Sequence, residues 1–147
     1  MLIGKIGCGK TTLCQRLFDE EIKYKKTQTV QVLGGTAIDT PGEYMEHRAY
    51  YKALIVTSVE ADMILFLHSA NDDQFVFSPR MTSMFNKPAI GIITKTDLCK
   101  DEQQLKHVRD ALEYAGAVKI FEISSYTGEG VKELSEFLED ANLNDLQ

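Results

Sequence analysis

The chain has 147 residues, of which 44% are hydrophobic and 26% charged, and its formal net charge is −6. These values predict one folded domain over residues 1–147 rather than a disordered chain. The acidic balance argues against nucleic acid as a partner, because nucleic-acid-binding domains usually present a basic face.

The cysteines and the apolar runs indicate where the protein works. Cys8, Cys14 and Cys99 form no C-x-x-C pair, so reduced thiols are expected. The longest apolar runs, residues 63–67 and 89–93, are too short to cross a bilayer. No signal-peptide pattern opens the sequence. We therefore expect a cytoplasmic protein without a membrane partner.

Short apolar runs alternate with longer amphipathic stretches. The predicted strands are residues 1–3, 30–33, 37–38, 63–67, 89–93 and 118–123, and the predicted helices are residues 11–18, 44–59, 101–114 and 131–138. Several runs are continuous, which is typical of strands buried on both faces of a parallel sheet. Gly34-Gly35 interrupt residues 29–38 and predict a hairpin with one antiparallel edge strand. The fold class is therefore α/β, a doubly wound, mostly parallel sheet of about six strands, with ligands beyond the carboxyl ends of the strands.

A glycine-rich stretch follows the first predicted strand and opens the first predicted helix. Its sequence, GKIGCGKT at residues 4–11, fits the phosphate-binding pattern G-x-x-x-x-G-K-[ST] of P-loop NTPases. Glycines let the backbone N–H groups curl around a phosphate, Lys10 adds a positive charge, and Thr11 offers a hydroxyl to Mg²⁺. The alternative is an ordinary glycine-rich turn, which the flanking strand and helix disfavour. The candidate phosphate-binding residues are Gly4, Gly7, Cys8, Gly9, Lys10, Thr11 and Thr12.

The third predicted strand ends in a second polar motif, Asp39-Thr40-Pro41-Gly42. Asp39 at this strand tip is a candidate magnesium ligand through a water, and the N–H of Gly42 is a candidate contact to the γ-phosphate of a nucleoside triphosphate. A plain turn is the alternative interpretation. The position after a phosphate loop and a hairpin favours the nucleotide interpretation.

Two further strand ends carry candidate base-binding residues. Asp97, in Thr94-Lys95-Thr96-Asp97, can accept hydrogen bonds from the two N–H donors of guanine, which adenine lacks. Lys95 would lie along the base plane. An N-cap for the next helix is the alternative role for Asp97. The last strand delivers Ser124, Ser125 and Tyr126, and the N–H of Ser125 is a candidate contact to the guanine carbonyl oxygen.

With these four motifs in this order, the chain resembles Ras-like, translation-factor-class GTPases over nearly its whole length. More closely, it resembles the EutP/PduV family, small P-loop proteins of ethanolamine and propanediol utilisation. The segments that carry this resemblance are KTTLCQ (10–15), YKKTQ (24–28), DTPGEY (39–44), RAYYKALIVT (48–57), MFNKP (84–88) and TGEGV (127–131). The resemblance implies GTP or GDP with Mg²⁺ as cofactors and a bacterial cytosolic protein linked to catabolic microcompartments.

The resemblance also implies roles at positions where this sequence departs from the pattern. A switch threonine on magnesium is expected at Thr27, with Thr29 as the second choice and strand-forming residues as the alternative for both. Glu43 stands where Ras-like enzymes use Gln to orient the attacking water. A carboxylate there is expected to point away from the phosphates unless it acts as a base, so hydrolysis should be slow. Thr94 replaces the usual Asn and is expected to lose a tie between the base and the phosphate loop, which weakens nucleotide affinity.

Residues 44–51, with Arg48, Tyr50 and Tyr51, are a candidate surface for a microcompartment shell or enzyme protein, and packing of the aromatics under the helix is the alternative.

Three functions remain open. The first is a slow Mg²⁺-dependent GTPase switch with Lys10, Thr11, Thr27, Gly42 and Glu43 as catalytic candidates and Thr11, Thr27 and Asp39 as metal ligands. The second is an ATP- or GTP-dependent kinase of short-chain acids. The third is a nucleotide-bound scaffold without enzymatic activity.

Overall fold

The computed structural model describes residues 1–17, 31–33 and 37–145. The strands in this part of the chain are β1 Leu2–Ile3, β2 Gln31–Leu33, β3 Ala37–Asp39, β4 Ile64–Ser69, β5 Ala89–Thr94 and β6 Ile120–Glu122. They form one sheet in the order β2-β3-β1-β4-β5-β6. Only the β2–β3 pair is antiparallel among the described pairings. The predicted α/β fold with a mostly parallel sheet and one antiparallel edge strand is confirmed.

Helices cover both faces of this sheet. They are α1 Lys10–Leu17, α2 Glu43–Glu46, α3 Tyr51–Ser58, α4 Glu102–Ala115 and α5 Val131–Asp145, with short 3-10 helices at Arg48–Tyr50, Met81–Met84 and Thr96–Leu98. Leu54 of α3 and Leu112 of α4 are buried in one cluster, and Leu13 of α1 and Leu134 of α5 in another. Two hydrophobic layers therefore sandwich the sheet, which is the doubly wound arrangement. None of the described helices is long and apolar enough to span a membrane.

The prediction of one continuous helix over residues 44–59 was wrong. His47 has φ −129° and ψ 124°, an extended conformation that separates α2 from the 3-10 turn and α3. The break lets the ring of Tyr50 stack on that of Tyr44, with centroids 5.0 Å apart. The apolar spacing that predicted the helix is real, because Met45 and Leu54 are both buried in the same core cluster. The helical spacing therefore marked the buried positions, but the chain leaves the helix at His47.

The connection from β4 to β5, which is described throughout, contains no α-helix. Its residues Phe77, Met81 and Phe85 are instead buried side by side in the core, and Phe77 stacks on Phe66 of β4 at 4.7 Å. Aromatic packing thus covers this part of the sheet in place of a crossover helix. Because β4 runs parallel between β1 and β5, the loop that follows it starts beside the carboxyl ends of both neighbours.

Candidate functional site

The phosphate-loop stretch is held by donors that face its carbonyl groups. Lys10 is 6% exposed, and its Nζ donates to the carbonyls of Gly4 at 2.7 Å and Lys5 at 3.0 Å. From β5, Thr94 Oγ1 donates to the Cys8 carbonyl at 2.5 Å. Because a peptide C=O and the following N–H point in opposite directions, this bond turns the N–H of Gly9 away from β5. The loop is therefore fixed in a shape that presents backbone N–H groups on its other side.

The N-terminus of α1 continues this set of N–H groups. The N–H of Leu13 donates to the Gly9 carbonyl at 2.9 Å, so the N–H groups of residues 10–12 precede the first bond of the helix ladder. Gly7 and Gly9 have φ values of 79° and 100°, which a side chain would strain. The structure thus brings the predicted residues 4–12 into one curved backbone segment at a helix N-terminus, the geometry that binds phosphate.

The segment after β3 packs directly on this loop. Thr40 is buried, and its Oγ1 donates to the Leu2 carbonyl at 2.6 Å. Gly42 lies so close to Ile6 that a Cβ on Gly42 would stand 2.6 Å from the Ile6 Cα. Asp39 ends β3 in register with Leu2 of β1. The predicted γ-phosphate and metal positions therefore lie beside the phosphate loop.

A magnesium ion at this position would have oxygen ligands. Thr11 lies in the first turn of α1 and Asp39 is the last residue of β3, so the backbone places a hydroxyl-bearing and a carboxylate-bearing residue at the carboxyl-end side of the sheet. This donor chemistry, completed by waters, fits Mg²⁺. No group of three or more His, Cys, Asp or Glu residues that could by themselves hold a metal ion occurs in the described part of the chain. Thr27 and Thr29 lie outside the described residues.

Glu43 follows Gly42 at the start of α2. Its Oε2 is buried and accepts no hydrogen bond within residues 1–17 and 37–145. Leaving a buried acceptor without a hydrogen-bond donor costs roughly 1–3 kcal/mol of folding free energy, so a donor at this oxygen would be favourable. A water molecule is small enough to donate this hydrogen bond.

The expected loss of the tie at Thr94 was wrong on the phosphate side. The hydroxyl of Thr94 reaches the Cys8 carbonyl although the side chain is shorter than Asn. Lys95, in the left-handed conformation with φ 57°, adds a bond from its Nζ to the Gly7 carbonyl at 2.5 Å. Successive residues of the β5 end therefore hold two carbonyls of the phosphate loop.

Asp97 and Ser124 form the predicted base-binding end of the site. Ser124 is fully buried, and its Oγ donates to Asp97 Oδ1 at 2.7 Å. No hydrogen bond to the other oxygen of Asp97 arises from the described residues. The helix-cap alternative fails for α4, because the cap of that helix is Asp101, which accepts from the N–H of Gln104. The structure therefore leaves an exposed carboxylate anchored by one oxygen.

The loop after β6 differs at its third predicted residue. Ser125 is half-buried next to Ser124, whereas the side chain of Tyr126 is 89% exposed. Ser124 organises the turn, since its hydroxyl accepts from the N–H of Thr127 and its carbonyl from the N–H of Gly128. The Tyr126 side chain thus points to solvent, and only its backbone stays near the predicted base site.

An ion pair that sequence reasoning missed joins the phosphate loop to the loop after β4. Lys5 Nζ lies 2.7 Å from Asp72 Oδ2 and also donates to the Gln74 carbonyl at 3.2 Å. Burial alone would raise the pKa of Asp72, but the hydrogen bond from Lys5 lowers it below its usual value. His68 Nε2 lies 2.8 Å from the Asp72 carbonyl, and burial lowers the pKa of His68. The only sequence signal was that Lys5 occupies a variable position inside the phosphate-loop motif.

The candidate partner surface at residues 44–51 is divided. Tyr44 and Tyr51 pack against the core, as the packing alternative expected. Arg48 and Tyr50 are exposed, Tyr50 by 43%. The aromatics of this segment thus serve mainly to attach it to the sheet.

Known proteins similar to this chain include a family of P-loop proteins and its individual members. The model of the family described as "Ethanolamine utilisation - propanediol utilisation" (PduV-EutP) matches residues 1–140. The propanediol utilization protein PduV of Citrobacter freundii is 44% identical over 138 residues, 94% of this chain and 91% of that protein. "Probable acetate kinase EutP" of Escherichia coli K12 is 34% identical over 137 residues, 92% and 86% of the two chains.

More distant similarity extends to GTPases. "GTPase Era" of Mycoplasmopsis pulmonis is 30% identical over 154 residues, which cover 90% of this chain and 52% of that protein. The GDP-bound Roco2 RocCORdC structure of Methanosarcina barkeri has a TM-score of 0.64 at 16% identity, over 97% of this chain and 48% of that one. The latter similarity shows the shared fold. The chain therefore belongs to the PduV-EutP family of GTPase-like P-loop proteins.

Proposed function

We propose that the chain binds a guanine nucleotide and hydrolyses GTP slowly with Mg²⁺, as a switch in ethanolamine or propanediol utilisation. The observation that carries this proposal is the carboxylate of Asp97, anchored on Ser124 at 2.7 Å. It lies in the same loop as Lys95, which is tied to the phosphate loop at Gly7. One ligand with a purine at one end and phosphates at the other fits both features.

Guanine recognition would use the oxygens of Asp97. The N1–H and the exocyclic amine of guanine form a donor pair, and a carboxylate accepts both. Adenine offers no such pair, so its binding would desolvate Asp97 without compensation. Sites of this kind discriminate by roughly 10⁴-fold or more. The bond from Ser124 keeps the carboxylate in place before the base arrives.

The phosphates would lie against the N–H groups of residues 9–12. The Nζ of Lys10 donates to the Gly4 and Lys5 carbonyls in this structure. It would contact a phosphate bound in the loop. Thr11 and Asp39 would hold Mg²⁺, which neutralises phosphate charge when bound. Thr27 is proposed as a further ligand.

In hydrolysis, the oxygen of a water attacks the γ-phosphorus while the bond to the β–γ bridging oxygen breaks, so GDP leaves with the electron pair and phosphate is released. The N–H of Gly42 would contact the γ-phosphate. The unpaired Oε2 of Glu43 would accept a hydrogen bond from the water. A negative side chain is repelled by the phosphates, so the reaction would be slow. Gly42 contacts Ile6 of the phosphate loop and immediately precedes α2. Loss of the γ-phosphate would therefore change the position of α2 and of α3 behind it.

The test compares fluorescent GDP and ADP in wild type and in Asp97→Asn. Wild type should bind GDP far more tightly than ADP, and Asp97→Asn should lose most of that preference while the phosphate contacts remain. Asp110→Asn, on α4, is the matched control and should bind like wild type. Equal affinity of wild type for both nucleotides would refute the guanine assignment. Lys10→Ala should abolish binding of both nucleotides.

A second candidate is phosphoryl transfer to a short-chain carboxylic acid, favoured by the name "Probable acetate kinase EutP" of a 34% identical relative. A carboxylate oxygen would attack the γ-phosphorus in place of water and form an acyl phosphate. Lys5 is a cation in the phosphate loop, but its charge is matched by Asp72 at 2.7 Å. The acid would have to displace Asp72, which ranks this function second. Hydroxylamine trapping of acyl phosphate, with GTP or ATP plus acetate or propionate, separates it from hydrolysis.

We further propose that the protein works in the cytoplasm and associates with a microcompartment shell or enzyme protein. The family name supports the pathway. The exposed Arg48 and Tyr50 are the members of residues 44–51 able to contact such a partner. Their substitution by Ala should weaken co-sedimentation with purified microcompartments and leave GDP binding unchanged, and unchanged co-sedimentation would refute this role.

A further inference from the structure

The outward face of α3 and of the turn that follows it carries a contiguous apolar patch. Val56 and Val59 are 71% and 72% exposed, and Ile55 beside them is 37% exposed. The inward face of the same helix is committed to the core through Tyr51 and Leu54. Single exposed apolar side chains are ordinary, but neighbours at helical spacing form a surface typical of protein interfaces.

Charge is distributed unevenly along this face. Lys52 is exposed four residues before Val56, and Glu60 is exposed four residues after it. The N–H of Glu60 donates to the Thr57 carbonyl at 3.2 Å, so the chain still turns at that point. Neither Lys52 nor Glu60 takes part in an ion pair within the described ranges. The patch therefore has a positive end, an apolar centre and a negative end.

We propose that this face packs against the same face of a second copy of the chain, with the two α3 helices antiparallel about a two-fold axis at Val56. In that arrangement Lys52 of each copy faces Glu60 of the other, because each residue is four positions from Val56, Lys52 in α3 and Glu60 in the turn that follows it. Parallel helices would instead place like charges together, which is unfavourable. The charge pattern thus selects a self-complementary antiparallel contact.

The size of the patch sets the strength of this dimer. Stable interfaces bury about 800 Å² on each partner. A helix of two turns with three apolar side chains offers less, so the dimer is weak and forms as concentration rises. The residues of this contact are distinct from those of the candidate nucleotide site.

Sedimentation velocity of the full chain over a concentration series tests the proposal. Wild type should shift from monomer to dimer as its concentration increases. Val56→Glu should remain monomeric, because two carboxylates would meet at the axis. Val118→Glu is the matched control: Val118 is 77% exposed, precedes β6 and is not part of the patch. Circular dichroism checks that each variant is folded.

Charge reversal makes the test specific for the antiparallel arrangement. Lys52→Glu and Glu60→Lys should each raise the dimer dissociation constant about 5-fold, since each turns two attractive contacts into repulsive ones. The double variant Lys52→Glu/Glu60→Lys should recover wild-type dimerisation. A wild type that stays monomeric at every concentration overturns the proposal. So does a dimer that Val56→Glu leaves intact, or a double variant that recovers nothing.

Discussion

Replacement of Thr94 by Val tests whether β5 shapes the phosphate loop. Val has nearly the shape of Thr, so no cavity forms at this buried position. The substitution removes the donor that lies 2.5 Å from the Cys8 carbonyl. A buried acceptor left without its donor costs about 1–3 kcal/mol. If about 1–2 kcal/mol of this appears in binding, the GDP dissociation constant rises roughly 5- to 30-fold.

Titration with fluorescent GDP in Mg²⁺ measures this effect, and thermal unfolding checks that the variant is folded. Thr94→Ser is the control, because it keeps the hydroxyl and loses one methyl group, worth about 0.8 kcal/mol. Its affinity should stay within about 4-fold of wild type. The Cys8 contact would not support the loop if the Thr94→Val variant bound GDP as tightly as wild type. The same conclusion would follow if the Thr94→Ser variant bound GDP as weakly as the Thr94→Val variant.

Three further predictions concern the segment after β3 and strand β4. Gly42→Ala places a methyl group 2.6 Å from the Ile6 Cα, so it should destabilise the fold by about 1–3 kcal/mol in denaturant unfolding, and an unchanged midpoint would contradict the close contact. Glu43→Gln removes the repelling charge and should speed GTP hydrolysis about 10-fold with unchanged GDP affinity, whereas a slower rate would identify Glu43 as the base. Burial lowers the pKa of His68 in the folded state. In the unfolded chain this imidazole takes up a proton near pH 6.5, whereas in the folded chain it stays neutral to a lower pH. The free energy of unfolding should therefore fall as the pH drops below about 6.5, and His68→Phe should reduce that slope, while an equal slope in both proteins would assign it elsewhere.

Much of the site could be predicted because it depends on local sequence. The stretch from Gly4 to Thr11 needs glycines at fixed offsets and a helix behind it, and both are visible in the printed residues. The helix predicted over residues 101–114 corresponds to α4 Glu102–Ala115, although the structure assigns its cap to Asp101. Continuous apolar runs likewise predicted buried parallel strands, since burial on both faces leaves no polar alternation.

The contacts that only tertiary structure decided join residues far apart in sequence. Thr94 and Cys8 are separated by 86 residues, and Lys5 and Asp72 by 67. Parallel strands bring such pairs to one edge of the sheet. The hydrophobic pattern of the sequence does not indicate which side chain bonds to which carbonyl group. The extended conformation of His47, which interrupts the predicted helix, is likewise not visible in the helical spacing of its neighbours.

The sequence alone thus determined the family, the fold class and the candidate ligand, because these depend on short motifs and on apolar patterning. Only the tertiary structure decided how the phosphate loop is supported and which face of α3 remains exposed, because both depend on distances between segments that the chain order does not contain.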